Sequence, residues 1–195
     1  MFSRLRCSVD QCSRLVAHGE TTCYLHSSNR ESTLERVAAL VSDGQRHHDL
    51  ILTDGVLRNR MFSRASLATC SFARCIFCDV DFSEAKLNAC FFDFCLFERC
   101  RFIGANARFS VFAGSSLLDC DFTDTLLLHA NFMGSDIRNC DFSSSDLYYS
   151  NFSSSYLSHV LFVDCNLKNA DFRFTERSSV SFRYSNYEEA CFMQR

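Results

Sequence analysis

The chain has no proline and no tryptophan, and only 6 glycines among 195 residues. Loop-rich folds draw their turns from proline and glycine, so the turns here must be built from other residues. No apolar run approaches the ~20 residues that span a bilayer as a helix. Neither charge dominates: 20 Lys plus Arg against 23 Asp plus Glu give a formal net charge of -3. That balance leaves no polybasic footprint for nucleic acid or an anionic membrane. The opening residues, Met1 to Gln11, lack the apolar stretch of a secretory signal. A Gly-rich phosphate loop, a Walker motif and a Ser, His and Asp order are also missing, so a non-enzymatic protein is expected.

Phenylalanine and cysteine are in excess, at 21 and 13 residues. An odd cysteine count without a signal argues against an extracellular disulfide framework. The thiols are expected to be reduced and the protein cytoplasmic.

The phenylalanines follow a period of five. From Leu52 to Phe192 in steps of five there are 29 positions, all apolar except Arg177, and they hold 16 of the 21 Phe. Two residues before each, from Ala65 to Ala190, stands Ala, Cys, Ser, Thr or Val without exception. Eight cysteines fill that small position: Cys70, Cys75, Cys90, Cys95, Cys100, Cys120, Cys140 and Cys165. Cys75 and Cys78 also spell a CxxC, but with Cys75 inward and Cys78 outward it reads as packing rather than redox chemistry. A helix repeats near 3.6 and a strand at 2, so neither fits. One large and one small inward residue in five describe one short side of a solenoid, and only stacked neighbours can bury it.

A second period of twenty sets the size of the coil. One column runs Phe62, Phe82, Phe102, Phe122, Phe142, Phe162, Phe182, and the facing one runs from Phe72 to Phe192. Leu67, Leu87, Leu127, Leu147 and Leu167 form a third, and a mixed column runs from Leu57 to Arg177. Four units per turn make a square section, and about seven coils at ~4.8 Å make a rod of roughly 35 Å. The units CDFTD (120–124), CDFSS (140–144), SNFSS (150–154) and ADFRF (170–174) resemble the pentapeptide repeat family. The resemblance implies an all-β fold, a right-handed quadrilateral parallel β-helix over residues 50–195. Ala107 underfills one layer, and an arginine cannot enter an apolar core uncompensated, so the coil near Arg177 is expected to bulge or relax.

Residues 1–30 have a different logic. Cys7, Cys12, Cys23 and His26 give C-x4-C-x10-C-x2-H, two close pairs separated by a loop, as a structural zinc knuckle requires. His18 competes as the fourth ligand. So small a segment cannot build a sufficient core, which favours bound zinc. Residues 31–49 are expected to supply a linker and a short helix over 32–43, with Ser32 to Glu35 as a capping box and Gly44 as its stop. The helix would cover the apolar end of the first coil.

The remaining residues of each unit point outward. On the face of the Phe62 column these include Asp81, Glu84, Asp121, Asp124, Asp141 and Asp164, with Arg101 as the single base between the second and sixth coils. Apolar residues gather at Phe91, Phe94 and Leu96 in the early coils and at Leu126, Leu128, Tyr148 and Tyr149 later. Such clusters suggest docking surfaces, unless the zinc segment folds back over the early one. Some members of the resembled family protect DNA gyrase by imitating duplex DNA, so the resemblance and the acidic face imply a topoisomerase partner. The alternative is a structural or adaptor role in a larger assembly. The resemblance also implies homodimerisation through the last coil.

Overall fold

A computed structural model describes residues 5–192. Its body is a four-sided parallel β-solenoid of about seven coils, with the N-terminal segment and one helix packed at its start. Ten three-residue strands mark two of the four sides: β1 (Arg46–His48), β2 (Val56–Arg58), β3 (Ser66–Ala68), β4 (Ile76–Cys78), β5 (Lys86–Asn88), β6 (Leu96–Glu98), β7 (Ser116–Leu118), β8 (Asp136–Arg138), β9 (Tyr156–Ser158) and β10 (Glu176–Ser178). β1, β3 and β5 pair in one sheet, and the other seven run from β2 to β10 in a second. Every pairing is parallel with a register of twenty, as in His47↔Leu67 and Leu117↔Ile137. The two Phe sides are joined by single bridges with the same register, from Ile51↔Ser71 to Asp171↔Cys191.

The register follows from the core. Phe102 stacks on Phe122 with ring centroids 4.4 Å apart and 6° between planes. On the facing column, Phe112 stacks on Phe132 at 4.8 Å and 3°. Across the interior the columns meet edge to face, as in Phe122 against Phe132 at 84°. Both arrangements suit the ring quadrupole. Twelve Phe side chains are wholly enclosed, and Ala107 is fully buried beside them.

The small inward position has a second job. Ser115, Thr125, Ser135 and Ser145 donate their hydroxyls to the carbonyls of Phe92, Phe102, Phe112 and Phe122, 2.6 to 2.9 Å away in the coil below. Cys75, Cys95 and Cys165 point their thiols at the equivalent carbonyls at 3.0 to 3.2 Å. A residue there must be short and either apolar or able to satisfy that carbonyl, which limits the choice to Ala, Val, Ser, Thr and Cys. Burial pushes the Cys75 thiol up to about 12 and the Cys165 thiol up to about 11, so both stay protonated at neutral pH. Cys78 departs from expectation. It lies outward on β4 but is fully covered, in register between Arg58 and Glu98.

The corners explain how the chain turns with so little glycine. Two residues after each large inward residue the backbone takes positive φ, from Asp49 to Tyr184. Only Gly104, Gly114 and Gly134 relieve it; Asp, Asn, Arg, Phe, Tyr, His, Ser, Thr, Glu and Ala hold the rest. Left-handed geometry costs a non-glycine residue ~1 kcal/mol or more. Inter-coil backbone bonds offset it, such as Asp124 N–H to the Ser143 carbonyl at 3.1 Å.

Three expectations are corrected. The helix α1 spans Arg30–Ser42, and its cap is Asn29, whose side chain accepts from the Ser32 N–H; Ser32 does not cap it. The stretch expected to be a linker already contains β1, with His47 in register below Leu67. The coil at Arg177 does not bulge: β10 keeps its register, Arg177↔Leu157. The guanidinium stays exposed in this last coil of the described residues, where it lies over the Phe192 ring at 4.8 Å. At the opposite end Val37, Ala38 and Val41 of α1 join the core and close the first coil.

Candidate metal centre and interaction faces

Before α1 the chain folds as a small hairpin. An antiparallel bridge joins Arg6 and Leu15, with Cys7 N–H bonded to the Arg14 carbonyl at 2.9 Å. A tight turn places Cys12, whose N–H reaches the Val9 carbonyl at 3.1 Å. A single 3-10 turn, Tyr24–His26, aims the third and fourth donors. The donor atoms of Cys7, Cys12, Cys23 and His26 all lie within 4.8 Å of one another. Cys7 Sγ is 3.3 Å from His26 Nδ1, Cys23 Sγ is 3.6 Å from the same nitrogen, and Cys12 Sγ is 3.9 Å from Cys23 Sγ.

These separations are the edges of a tetrahedron around a zinc with ligand bonds of about 2.0–2.3 Å, so the donor set fits the ion. Burial opposes ionisation of Cys7, but the Cys23 and Val9 backbone N–H groups and the His26 and Cys23 side chains outweigh it. They bring the thiol down to about 6. Burial holds the Cys23 thiol above its ordinary value, as does the neighbouring Cys7. A bound cation would supply the positive charge that two or three adjacent thiolates lack. His18 is not part of the cluster. Its N–H bonds the Ile51 carbonyl at 2.8 Å, and burial with Arg36 and His47 nearby lowers its pKa.

The hairpin is fastened to the rod. Arg14 approaches Asp54 at 3.4 Å, and Arg74 holds the same carboxylate at 2.8 Å. Arg36 of α1 clasps Glu20 at 2.7 Å and the His18 carbonyl at 2.9 Å. This covers part of the early apolar cluster: Phe91 is half-buried at the hairpin's edge, whereas Phe94 and Leu96 remain 66% and 37% exposed.

The acidic face is unevenly charged. Arg101 lies between Asp81 and Asp121 on one ladder and pairs with Asp81 at 3.2 Å. Arg64 pairs with Glu84 at 2.9 Å. Asp81 is almost buried, its Oδ1 also accepting from the Ser83 backbone. Asp121, Asp124, Asp141 and Asp164 make no ion pair among the described residues. Asp121 and Asp141 are direct partners on successive coils and accept from the Thr123 and Ser143 N–H groups at 2.9 and 2.8 Å. Asp124 and Asp164 occupy exposed corners.

On the leucine side, Leu126, Leu128 and Tyr148 are half-buried and Tyr149 is exposed. The sequence reading missed two companions. Phe109 stacks on His129 at 5.1 Å, and His129 stacks on Tyr149 at 5.4 Å, a ladder of exposed rings on successive corners. Their spacing of twenty was the available signal.

Residues 115–192 match the family model of a pentapeptide repeat region. Among solved structures, HetL, a pentapeptide repeat protein of the cyanobacterium Nostoc sp. strain PCC 7120 involved in heterocyst differentiation regulation, is 13% identical. It covers 82% of this chain and 95% of its own, with a TM-score of 0.38. Rfr23 of the cyanobacterium Cyanothece 51142 is 10% identical, with 82% and 99% coverage and a TM-score of 0.36. QnrB1, a plasmid-mediated fluoroquinolone resistance protein, is 19% identical, with 73% and 79% coverage and a TM-score of 0.33. No curated protein sequence matches the chain significantly. The repeat match covers residues 115–192, and the same twenty-residue register continues outside it, from His47 to Cys191.

Proposed function

We propose that the chain is a non-enzymatic, cytoplasmic protein-binding rod whose acidic face imitates the charge of duplex DNA toward a topoisomerase of the gyrase kind. The observation that carries this reading is the set of four carboxylates, Asp121, Asp124, Asp141 and Asp164, that have no ion pair among the described residues. They spread over three coils, about 10 Å of rod. Duplex DNA offers one charge per ~1.7 Å, so the mimic is sparser but equally directional. The paired Asp81 and Glu84 confine the surface to the later coils. A basic groove built for phosphates would meet a rigid row of carboxylates, with attraction that weakens as salt rises.

In the same reading, zinc held by Cys7, Cys12, Cys23 and His26 is structural. Four protein donors leave no open position for catalysis, and the ion would stiffen the hairpin that Arg14 fastens to Asp54 of the rod. The last coil of the described residues serves a second copy of the chain. A second reading, an adaptor in a larger assembly, is favoured by the exposed ring ladder of Phe109, His129 and Tyr149. Affinity capture from native cytoplasm separates the two. Recovery of topoisomerase subunits in a salt-sensitive complex supports the first, and salt-resistant recovery of structural proteins supports the second. Elemental analysis showing one zinc per chain supports the knuckle, and its absence from native protein removes it.

A further inference from the structure

The leucine side of the rod carries cations without acids. Elsewhere Arg64, Arg74, Arg99 and Arg101 each pair with an acid twenty residues away, Glu84, Asp54, Asp79 and Asp81. On the leucine side Lys86 lies in register between Ser66 and Asn106, and the positions one coil from Arg108 hold Asn88 and Leu128. Neither cation makes a hydrogen bond or ion pair among the described residues. Lys86 is exposed. Arg108 is half-buried, its Nε covered and unpartnered, and Oδ1 of Asn106 on the same coil is in the same state. A guanidinium half removed from water and left without an acceptor is costly unless a ligand or water completes it.

The same side borders the ladder of exposed rings. Phe109, His129 and Tyr149 lie parallel on successive corners, with 4° and 12° between planes, so their faces cover one another and the surface they offer is mainly ring edge. Tyr148 meets the His129 and Tyr149 rings edge to face, at 6.0 and 4.7 Å. Ring edges carry the positive end of the quadrupole and attract aromatic faces and carboxylates. From Lys86 to Tyr149 the strip crosses three coil steps, about 14 Å, the span of four or five extended residues. Its backbone groups are bonded from coil to coil, as Asn106 N–H to the Ala85 carbonyl at 2.8 Å and Leu126 N–H to the Ala105 carbonyl at 2.9 Å, so side chains alone are left for recognition.

We infer that this strip binds an extended peptide segment of a protein partner that carries acidic residues next to aromatic ones. The carboxylates meet Lys86 and Arg108, and the aromatic side chains lie along the ring edges beside Leu126 and Leu128. A nucleic-acid strand fits less well, because the ring faces that would receive bases are stacked on one another and Asp146 at the far end repels phosphates. The same carboxylate opposes an anionic lipid surface. The inference rests on the adaptor reading for its use of the ring ladder and gives that reading a ligand class; the acidic face has no part in it.

The test titrates the full-length protein with the end-capped peptide Glu-Ser-Glu-Phe-Ser-Phe, followed by calorimetry and by amide shifts of residues 106–109 and 148–149. The parent should bind it with an affinity that falls as salt rises. Peptides with Lys for both Glu, or Ser for both Phe, should bind at least about tenfold more weakly. Arg108→Gln and Tyr149→Ser should each cause a loss of the same size with an unchanged melting profile; serine already holds the equivalent corners at Ser144 and Ser154. Lys86→Gln, at an exposed position, takes the place of Arg108→Gln if that variant does not fold. Arg58→Gln, at an exposed cation on β2 of the other sheet, should bind like the parent. No binding by the parent at about 1 mM, equal binding of the lysine peptide, or parent-like binding by the folded variants overturns the inference, as does tighter binding of oligothymidylate or of phosphatidylserine vesicles than of the peptide. If it is overturned while native capture still recovers structural proteins, the adaptor reading stands; peptide binding with no captured assembly removes that reading and keeps the peptide site.

Discussion

The ring of Phe94 lies over the backbone of Gly114, so that a Cβ added to Gly114 would fall 2.6 Å from Phe94 Cε1. Gly114 also sits at a corner with φ of +65°. Most other corners carry side chains in the same backbone geometry, so the position is restricted by the ring as well as by its φ. Gly114→Ala is expected to destabilise the rod by about 1–2 kcal/mol, combining the left-handed penalty with displacement of the ring. Phe94→Ala should recover part of that loss in the double variant. Denaturant midpoints of the four proteins check it, and strict additivity would contradict the contact.

Phe122 stacks between Phe102 and Phe142 at 4.4 and 4.7 Å and is wholly buried. Phe122→Ala should cost about 3–5 kcal/mol, since the cavity has rigid neighbours on both sides. Exchange protection should fall first in the coils on either side of residue 122, because each coil is supported only by its neighbours. Uniform loss along the rod would contradict that one-dimensional coupling.

Much of this architecture was legible because the inward residues obey two periods at once. Phe at 102 and 122 fixed the coil length, and Ser or Cys two residues earlier marked the side facing in. The corners were not legible. Positions 74, 94, 129 and 149 hold Arg, Phe, His and Tyr, so no residue type announces the positive φ that the register imposes. Arg177 misled because its inward slot was read as core, whereas in the last described coil that slot faces solvent. The ion pairs Arg64 with Glu84 and Arg74 with Asp54 also lie twenty apart. Opposite charges at that interval were a readable signal, and using it would have removed Glu84 from the free acidic face. At the candidate metal centre the grouping of the four donors was readable from spacing. The choice of His26 over His18 needed the 3-10 turn that aims the ring.

Asp54 fastens the hairpin to the rod through Arg14 and Arg74. Burial raises its pKa, but the bonds to Arg74 outweigh that and leave it below the ordinary 3.8. A depressed carboxylate contributes stability that is complete above its unfolded value and is lost as pH falls through its folded value. Asp54→Asn should therefore lower stability by about 1–3 kcal/mol at pH 7, with the difference from the parent shrinking below pH 3.8. Thermal melts between neutral and acid pH measure it. A difference that persists unchanged into strong acid would contradict the clamp.

In the last described coil, Arg177 covers the Phe192 ring while Tyr187 remains 54% exposed. If this end receives a second copy, Arg177→Leu should enlarge its apolar area and strengthen self-association, whereas Phe192→Asp should abolish it. Sedimentation over a concentration series checks both. A parent protein that stays monomeric throughout, with Arg177→Leu also monomeric, would contradict dimerisation there.

The most direct test of the DNA-like face is binding to purified gyrase by the parent and by a variant with Asp121, Asp124 and Asp141 all replaced by Asn. These side chains are outward, and the backbone bonds that Asp121 and Asp141 accept can be accepted by asparagine, so the rod should fold with an unchanged melting profile. The account predicts that the parent binds at low salt, that its affinity falls as salt rises, and that the variant binds at least about tenfold more weakly. Equal binding by the folded variant, or no binding by the parent at low salt, would contradict it.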